Sequence, residues 1–548
     1  MVQLTGLPRA VPGKREATPY EPPADVPGEL RRITAEGDWD ALESLIDHFW
    51  LTMDSELGAQ LTTVLTDVPE EELHARPRLM IGGIAAYHAA VYPDAEEHRS
   101  FLRRYTDLGR RLAATMDPEH EEVPATVAIV GTAAMIAVRA EGRFAEAEEF
   151  GQRLTDRLLR LGPAPAAGPS PRPGWLPMQR GLTRSLMGDF AQATELYRQA
   201  VEQAGTEPVS AYAAINATAN LAMVFGHLGH RETARRWTER MRSYPPPSGW
   251  VSFLLTVGST LADGWEALDR YDEKALSECL AVTGDGTKPI EVWPFVTALV
   301  AAHGLHFGEP AATLAHLGEI RLSHAPALAD QGTARQVLTR ARADLLLAAG
   351  QANRALRVIT DAGAGAPWLA LPAARLRLLA GEYEVARALA AQATVDPAVS
   401  RRDLGQLLLV KALAALRSGD EVEAGRAAAA AMRLRAPDEV LSLATLSEED
   451  RAAIARLVEV PLTERAQARL AAAAPVFPER VELVELTNRE HAVLLALAAG
   501  GTVSQIARGL VVSVNTVRTQ LQSAYRKLGA SNRQEALTRA QELGVLGR

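Results

Sequence analysis

The chain has 548 residues, 47% of them hydrophobic and 23% charged, with a formal net charge of −9. That length exceeds one ordinary core and implies several domains or a long repeat array. No run of about 18 uninterrupted apolar residues occurs, so no membrane-spanning helix and no membrane partner are expected, and the lone cysteine, Cys279, excludes internal disulfides and Cys-based zinc sites. These bounds describe a cytoplasmic protein. Charge is unevenly placed: from Leu486 onward eight Arg and Lys face three acids, a surplus of +5 that leaves −14 for the rest. A small basic module on a large acidic body points to a polyanion partner for the tail.

Residues 1–28 carry six prolines and scattered charges without an apolar core, and read as a disordered leader rather than a signal peptide. From 29 to 465, strand-type alternation is almost absent and Ala and Leu recur at helical spacing. A short pattern also recurs: Gly, four residues, Ala. It stands at Gly142, Gly188, Gly229, Gly350, Gly381 and Gly419, and one residue shorter at Gly37. "DRYDEKA" near Asp269 and "GEPAAT" at Gly308 are degenerate copies. The clean spacings are 46, 41, 31 and 38 residues, scattered about the roughly 34 of a tetratricopeptide unit. Gly ends one helix with a left-handed turn, and the small Ala lets the next helix approach. The expected architecture is an all-α tetratricopeptide-like solenoid. Two stretches interrupt it, Gly162–Trp175 and Ser243–Trp250, both rich in Pro and expected as loops.

The body offers no catalytic constellation. "VPGKREA" around Lys14 lacks the Ser or Thr and the Gly spacing of a phosphate loop, and neither Gly-x-Ser-x-Gly nor His-Glu-x-x-His occurs. His303, His306 and Glu309 could share one face of a metal site, but solvated histidines are the plainer reading. The acidic run Asp117–Pro124 reads as a solvated turn, and most of the eight tryptophans read as packing residues. No enzyme, catalytic residue, cofactor or metal is therefore expected.

A linker is expected over 466–482, followed by a four-helix module over 483–548. Thr487 with Glu490 and Thr502 with Gln505 form capping boxes that open the first two helices. Ser513 caps the third, which stops at Gly529, and Asn532 with Glu535 opens the fourth, which ends at Gly544. In the third helix Val517, Leu521, Ala524 and Leu528 form an apolar stripe expected to pack on Val503, Ile506, Ala507 and Leu510 of the second and on Val493, Leu494 and Leu497 of the first. The opposite face carries Asn515, Arg518, Thr519, Gln522 and Arg526. Two short helices at a tight turn, the second polar outward, follow the helix-turn-helix plan over 503–522.

Through "LTNRE", "IARGL", "SVNTVRTQL", "YRKLGA" and "NRQEA", the segment from about Val481 to Arg548 resembles the LuxR-type helix-turn-helix domain of bacterial transcription regulators. The resemblance implies base contacts from Arg518, Thr519 and Gln522, and phosphate contacts from Ser513, Asn515, Thr516, Lys527 and Arg533. It also implies a dimer surface on the fourth helix through Ala536, Arg539, Ala540 and Leu543. Gln520, where the family most often has His, and Gly509 depart from its pattern. Glu56–Ala90 is similar to the start of the helical sensor region in large ATP-dependent LuxR regulators, here without their nucleotide-binding domain. The implied partners are double-stranded DNA, a second copy of the chain on DNA, a small-molecule or protein effector at the array, and RNA polymerase as a further candidate; the implied location is the bacterial cytoplasm, at the nucleoid when DNA is bound. The alternative is an adaptor whose array binds protein and whose tail mainly dimerises.

Overall fold

The computed structural model describes residues 23–546, apart from 50–52, 77, 80, 84–85, 87–103, 105–106, 112–113, 115, 122, 163–171, 205–207, 248–250 and 364. Among these residues every regular element is a helix, and no helix is long and apolar enough to cross a membrane. The chain divides into two compact units, 1–220 with 240–257, and 221–239 with 258–548.

Helical repeat packing fills both units, and the turn chemistry read from the sequence accounts for it. Gly37, Gly142, Gly188, Gly229, Gly350, Gly381 and Gly419 all take positive φ, between 66° and 86°, and each separates two helices. In that region an L side chain crowds the following carbonyl, so glycine adopts it at least cost. The alanine five residues on, at 147, 193, 234, 355, 386 and 424, is buried in every full-length copy, where a larger side chain would force the paired helices apart. The degenerate copies diverge. At the first, Tyr271 itself takes φ 57° and Asp272 caps the next helix by accepting from the Ala275 amide. At the second, Gly308 has φ −118° and the chain turns without a left-handed residue.

In the first unit the pairs Val26–Glu36 with Trp39–Phe49, Thr132–Ala140 with Phe144–Leu161, and Trp175–Met187 with Phe190–Gln203 follow this plan. Met135, Phe150, Leu154 and Leu176 form one shared core. Beside it Arg180 and Glu148, both buried, pair at 2.6 Å. Residues 26–28, placed within the expected leader, are helical instead. Asp25 accepts from the Gly28 amide and starts a helix at Val26, with Pro27 in the first turn where its missing N–H costs nothing; residues 1–22 lie outside the described region. So do 163–171 and 248–250 of the two expected loops, and 84–85 and 87–90 of the sensor-like segment.

The second unit continues with Gly332–Ala348 and Ala352–Gly363, Ala370–Leu379 and Tyr383–Ala393, and Arg401–Arg417 and Glu421–Leu434. Buried charges register these pairs against each other. Asp344 pairs with Arg375 at 3.2 Å, Arg340 with Asp403, and Arg375 also donates to Gln406 at 2.6 Å. The expected linker 466–482 opens inside a helix, Glu464–Ala472, capped by Thr463. Its Leu470 joins the last array core, so the segment is structured by burial that its Ala-rich sequence did not advertise. Further on, the Arg375 guanidinium lies 4.4 Å from the Phe477 ring centroid.

The tail folds as Asn488–Ala498, Val503–Gly509, Val514–Leu528 and Arg533–Glu542. Both capping boxes form, as do the Ser513 and Asn532 caps. Glu490 does more than cap. It is buried and receives Lys527 Nζ at 2.7 Å. Burial alone would raise its carboxyl, but hydrogen bonds from Lys527, Ser523 and Thr487 outweigh it and bring the group down to about 2.

The turns and the caps can be tested separately. Gly381→Ala meets open space and should lower stability by about 1–2 kcal/mol through backbone strain alone; Gly229→Ala also brings a Cβ to 2.7 Å from the Arg402 amide nitrogen and should cost more, as read by thermal melts. Because Glu490 is held below its ordinary value, its stabilisation is complete above about pH 4.5 and is lost as pH falls toward 2. Glu490→Gln should therefore destabilise the tail by about 2 kcal/mol at pH 7, with a smaller gap at pH 3. Hydrogen exchange of tail amides under rising urea reads both; an equal gap at the two pH values would remove the ion pair as its source.

Candidate nucleic-acid interface

The tail's core is built by Val493, Leu494, Leu497, Ile506, Ala507, Val517, Leu521 and Leu528. Burying the apolar stripe of Val514–Leu528 turns the opposite face outward by helical periodicity. Leu510 departs from the expected packing. It is 39% exposed, beside Val511 at 90% and Val512 at 38%. Val511 at φ 57° makes the tight turn between the second and third helices and throws this apolar stretch outward. The sequence marked the turn by its brevity but gave no sign of a left-handed valine, which β-branching disfavours.

On the outward face Asn515, Arg518, Thr519 and Gln522 are exposed. No intramolecular hydrogen bond or ion pair holds the side chains of Asn515, Arg518 or Gln522 among the described residues, whereas the Thr519 hydroxyl donates to the Asn515 carbonyl at 3.0 Å. At the helix start, Ser513 Oγ accepts from the Thr516 amide at 3.0 Å and lies 2.8 Å from Thr516 Oγ1. The first-turn amides and the helix dipole thus face solvent at the same end as the free polar side chains, an arrangement suited to a phosphate beside a groove.

Other residues singled out in the sequence are engaged within the domain. Lys527 is held by Glu490, and Arg533 donates to the Leu497 carbonyl at 2.8 Å. Each keeps further N–H donors, but the internal partner restricts where they can point. The dimer surface needs correction: Ala536 and Ala540 are fully buried in the tail's own core, so neither can present a face to a second copy. The fourth helix has too few large residues for its alanines to stay outside; they are the small side chains that let it pack. Arg539 pairs with Glu482 at 2.8 Å, and Leu543 is half-buried.

A seam the sequence did not reveal explains the position of that end. Within the second unit, Asn353 of the array donates to the Leu543 carbonyl at 3.1 Å and accepts from the Val484 amide at 2.8 Å. Arg357, one turn further along, donates to the carbonyls of Gly544, at 2.6 Å, and Val545. Arg377 pairs with Glu485. Asn353 is 5% exposed, and a buried amide on an Ala-rich helix is the one local signal that could have marked the seam. The metal candidate does not assemble: His306 is half-buried against Tyr271 and Phe307 and pushed down to about 3 by desolvation and then Arg375. His303 lies instead 3.3 Å from Ser277. Among the described residues no three His, Cys, Asp or Glu could hold a metal ion. Trp39, Trp175, Trp265 and Trp293 are buried packing residues.

Comparison with known proteins agrees with the site. Residues 484–540 match the family described as "Bacterial regulatory proteins, luxR family". The HTH-type transcriptional regulator MalT of Serratia proteamaculans (strain 568) is 41% identical over 69 residues, 13% of this chain and 8% of that protein. MalT of Yersinia pestis (strain Pestoides F) and of Yersinia pseudotuberculosis (serotype O:3, strain YPIII) match at the same identity and coverage. The likeness thus spans only 8% of the length of those relatives. Four capped helices, an outward polar recognition helix and this match together make residues 484–540 a luxR-family helix-turn-helix domain.

Proposed function

We propose that this chain is a sequence-specific DNA-binding transcription regulator, and that its helical array receives the signal that governs binding. The observation that carries the reading is the outward stripe of Asn515, Arg518 and Gln522 on a helix whose opposite face is locked in the core. A helix of that build enters the major groove with its N-terminal half against base edges. Arg518 and Gln522 have the hydrogen-bonding geometry to read guanine and adenine respectively, with Thr519 beside them. Ser513, Asn515 and Thr516 surround the helix start, where phosphate is favoured. Lys527 and Arg533 come second, since an internal partner already restrains each of them.

Support for dimeric binding is narrower than the sequence suggests, because only Arg539 and Leu543 of the four proposed residues have surface to offer, and the Leu543 carbonyl is taken by Asn353. A second copy would therefore meet the exposed side of the fourth helix, around Gln534, Thr538 and Gln541, rather than its alanines.

A duplex selected by the full chain from a random pool provides the test. Affinity should fall steeply as salt rises, as counterions released from phosphates require. Arg518→Ala should cost about 1–3 kcal/mol on the selected duplex and little on an unrelated one; an equal loss on both would make Arg518 a phosphate contact. No binding to any duplex at low salt would leave the adaptor reading, in which the array binds protein.

A further inference from the structure

In the second unit, the helix Gly332–Ala348 and its partner Ala352–Gly363 enclose a groove of about 300 Å³. It continues into a wider cleft of about 640 Å³ against the helix Pro310–Ser323. Arg335, Arg342, Arg354 and Arg357 line the groove, with Thr339 between them. Its one lining acid is Asp361. In the wider cleft Asp330 is already paired, with Arg321 at 2.8 Å. Arg335 and Arg342 have no carboxylate partner among the described residues, and both are exposed. Four guanidiniums against one free carboxylate, in a chain of net charge −9, is a local excess that mutual repulsion makes costly without a counter-charge. The repulsion registers on Arg357, which burial and then Arg354 and Arg342 hold below its ordinary value. The floor is apolar: Leu346 and Val358 in the groove, Leu314, Leu317 and Leu338 in the cleft.

We infer that this groove binds a small organic anion, with a phosphate or carboxylate head among the arginines and an apolar body on the leucine floor, and that its occupation withdraws Arg357 from the DNA-binding tail. Guanidinium forks match both head groups in two-point contacts, and an anionic acceptor adds a charge–charge attraction that a neutral carbonyl lacks. Arg357 spends its donors on two neutral carbonyls, of Gly544 and Val545. An anion beside it is the better acceptor. Arg354 flanks the same turn: a Cβ on Gly544 would lie 3.0 Å from its side chain. One pair of arginines therefore faces both ligand and tail, and a ligand that takes them loosens the seam. A DNA backbone is the poorer occupant, since a leucine-lined floor offers phosphates and sugars nothing to bond. The inference rests on the regulator reading only for its consequence; the site itself does not need DNA.

The test uses the full chain without DNA, with four probes: phenyl phosphate, phenylacetate, inorganic phosphate and, as neutral control, benzyl alcohol. Phenyl phosphate or phenylacetate should raise the melting temperature, and whichever does so identifies the head group. Inorganic phosphate should act more weakly for want of an apolar body. The Arg335→Ala/Arg342→Ala variant alters two exposed side chains and relieves repulsion, so without probe it should melt no lower than the parent, and it should bind the active probe at least tenfold more weakly. Arg342→Lys should recover some of that loss. Bound probe should also speed hydrogen exchange at the Val484 amide, which Asn353 protects. The proposal is overturned if no anion shifts the melt, if the neutral control shifts it equally, or if the double variant binds the probe as the parent does. It is also overturned if the double variant weakens duplex binding while leaving the anion response intact, which would make the groove a DNA path. Duplex binding is measured separately, so a failed anion titration and a failed DNA reading are told apart.

Discussion

The array depends on one backbone constraint repeated along the chain: a residue in left-handed conformation one or two positions past the end of the first helix of a pair. It reverses the chain within three or four residues and fixes where the second helix begins, so a buried alanine five residues on lands against the first helix. Seven glycines meet the constraint at no steric cost. Tyr271 meets it against its preference, at φ 57°, and the surroundings show why it is retained there. Its ring packs on Phe307 at 4.6 Å between centroids and its hydroxyl donates to the His306 carbonyl at 3.3 Å. Side-chain packing offsets roughly 1–2 kcal/mol of backbone strain.

Close approach through alanines leaves little apolar volume to specify which helix meets which. In the second unit that specification falls to buried charge. Arg340, Asp344, Arg375, Asp403 and Gln406 come from three successive helix pairs and satisfy one another. Such a network adds little net stability, because desolvation consumes most of the Coulomb gain. It does make alternative registers costly, since a slip of one turn would leave a buried charge without a partner. Arg402, the chain neighbour of Asp403, serves the same end: it reaches Asp269 at 2.8 Å and the Gly226 carbonyl at 2.9 Å, and covers the Trp265 ring at 4.4 Å.

What the sequence disclosed follows from range. Caps, glycine stops and the apolar stripe of the recognition helix act within four residues, so they could be read directly, and every cap proposed for the tail is present. The same local logic failed where tertiary contact decides. Ala536 and Ala540 looked like surface because they lie on a polar helix, yet they are buried, since only small residues fit where the fourth helix meets the core. Lys527 looked free for phosphate; its partner Glu490 stands 37 residues earlier. The helix within the expected linker was hidden because alanines alone do not say what they pack against. The seam and the arginine groove were hidden for the same reason: Asn353 and Leu543 are 190 residues apart, and no pattern within a window that short links them.

The seam's composition sets how it can act. Its hydrogen bonds run from one asparagine and one arginine to neutral main-chain groups, each contributing about 1 kcal/mol net, somewhat more from the charged donor. Together with the Arg377–Glu485 pair at the half-exposed rim, which adds at most about 1 kcal/mol, the polar contacts of the seam hold the tail by a few kcal/mol. Inverting a two-state equilibrium from 1:99 to 99:1 takes about 5.5 kcal/mol of differential binding. The polar contacts of the seam fall below that figure, whereas a seam built like the array's own joints, with buried carboxylates against guanidiniums, would be costlier to open. Charge pairs inside the array thus contrast with the mainly neutral main-chain acceptors at its junction with the tail, and the junction is the weaker of the two kinds of joint.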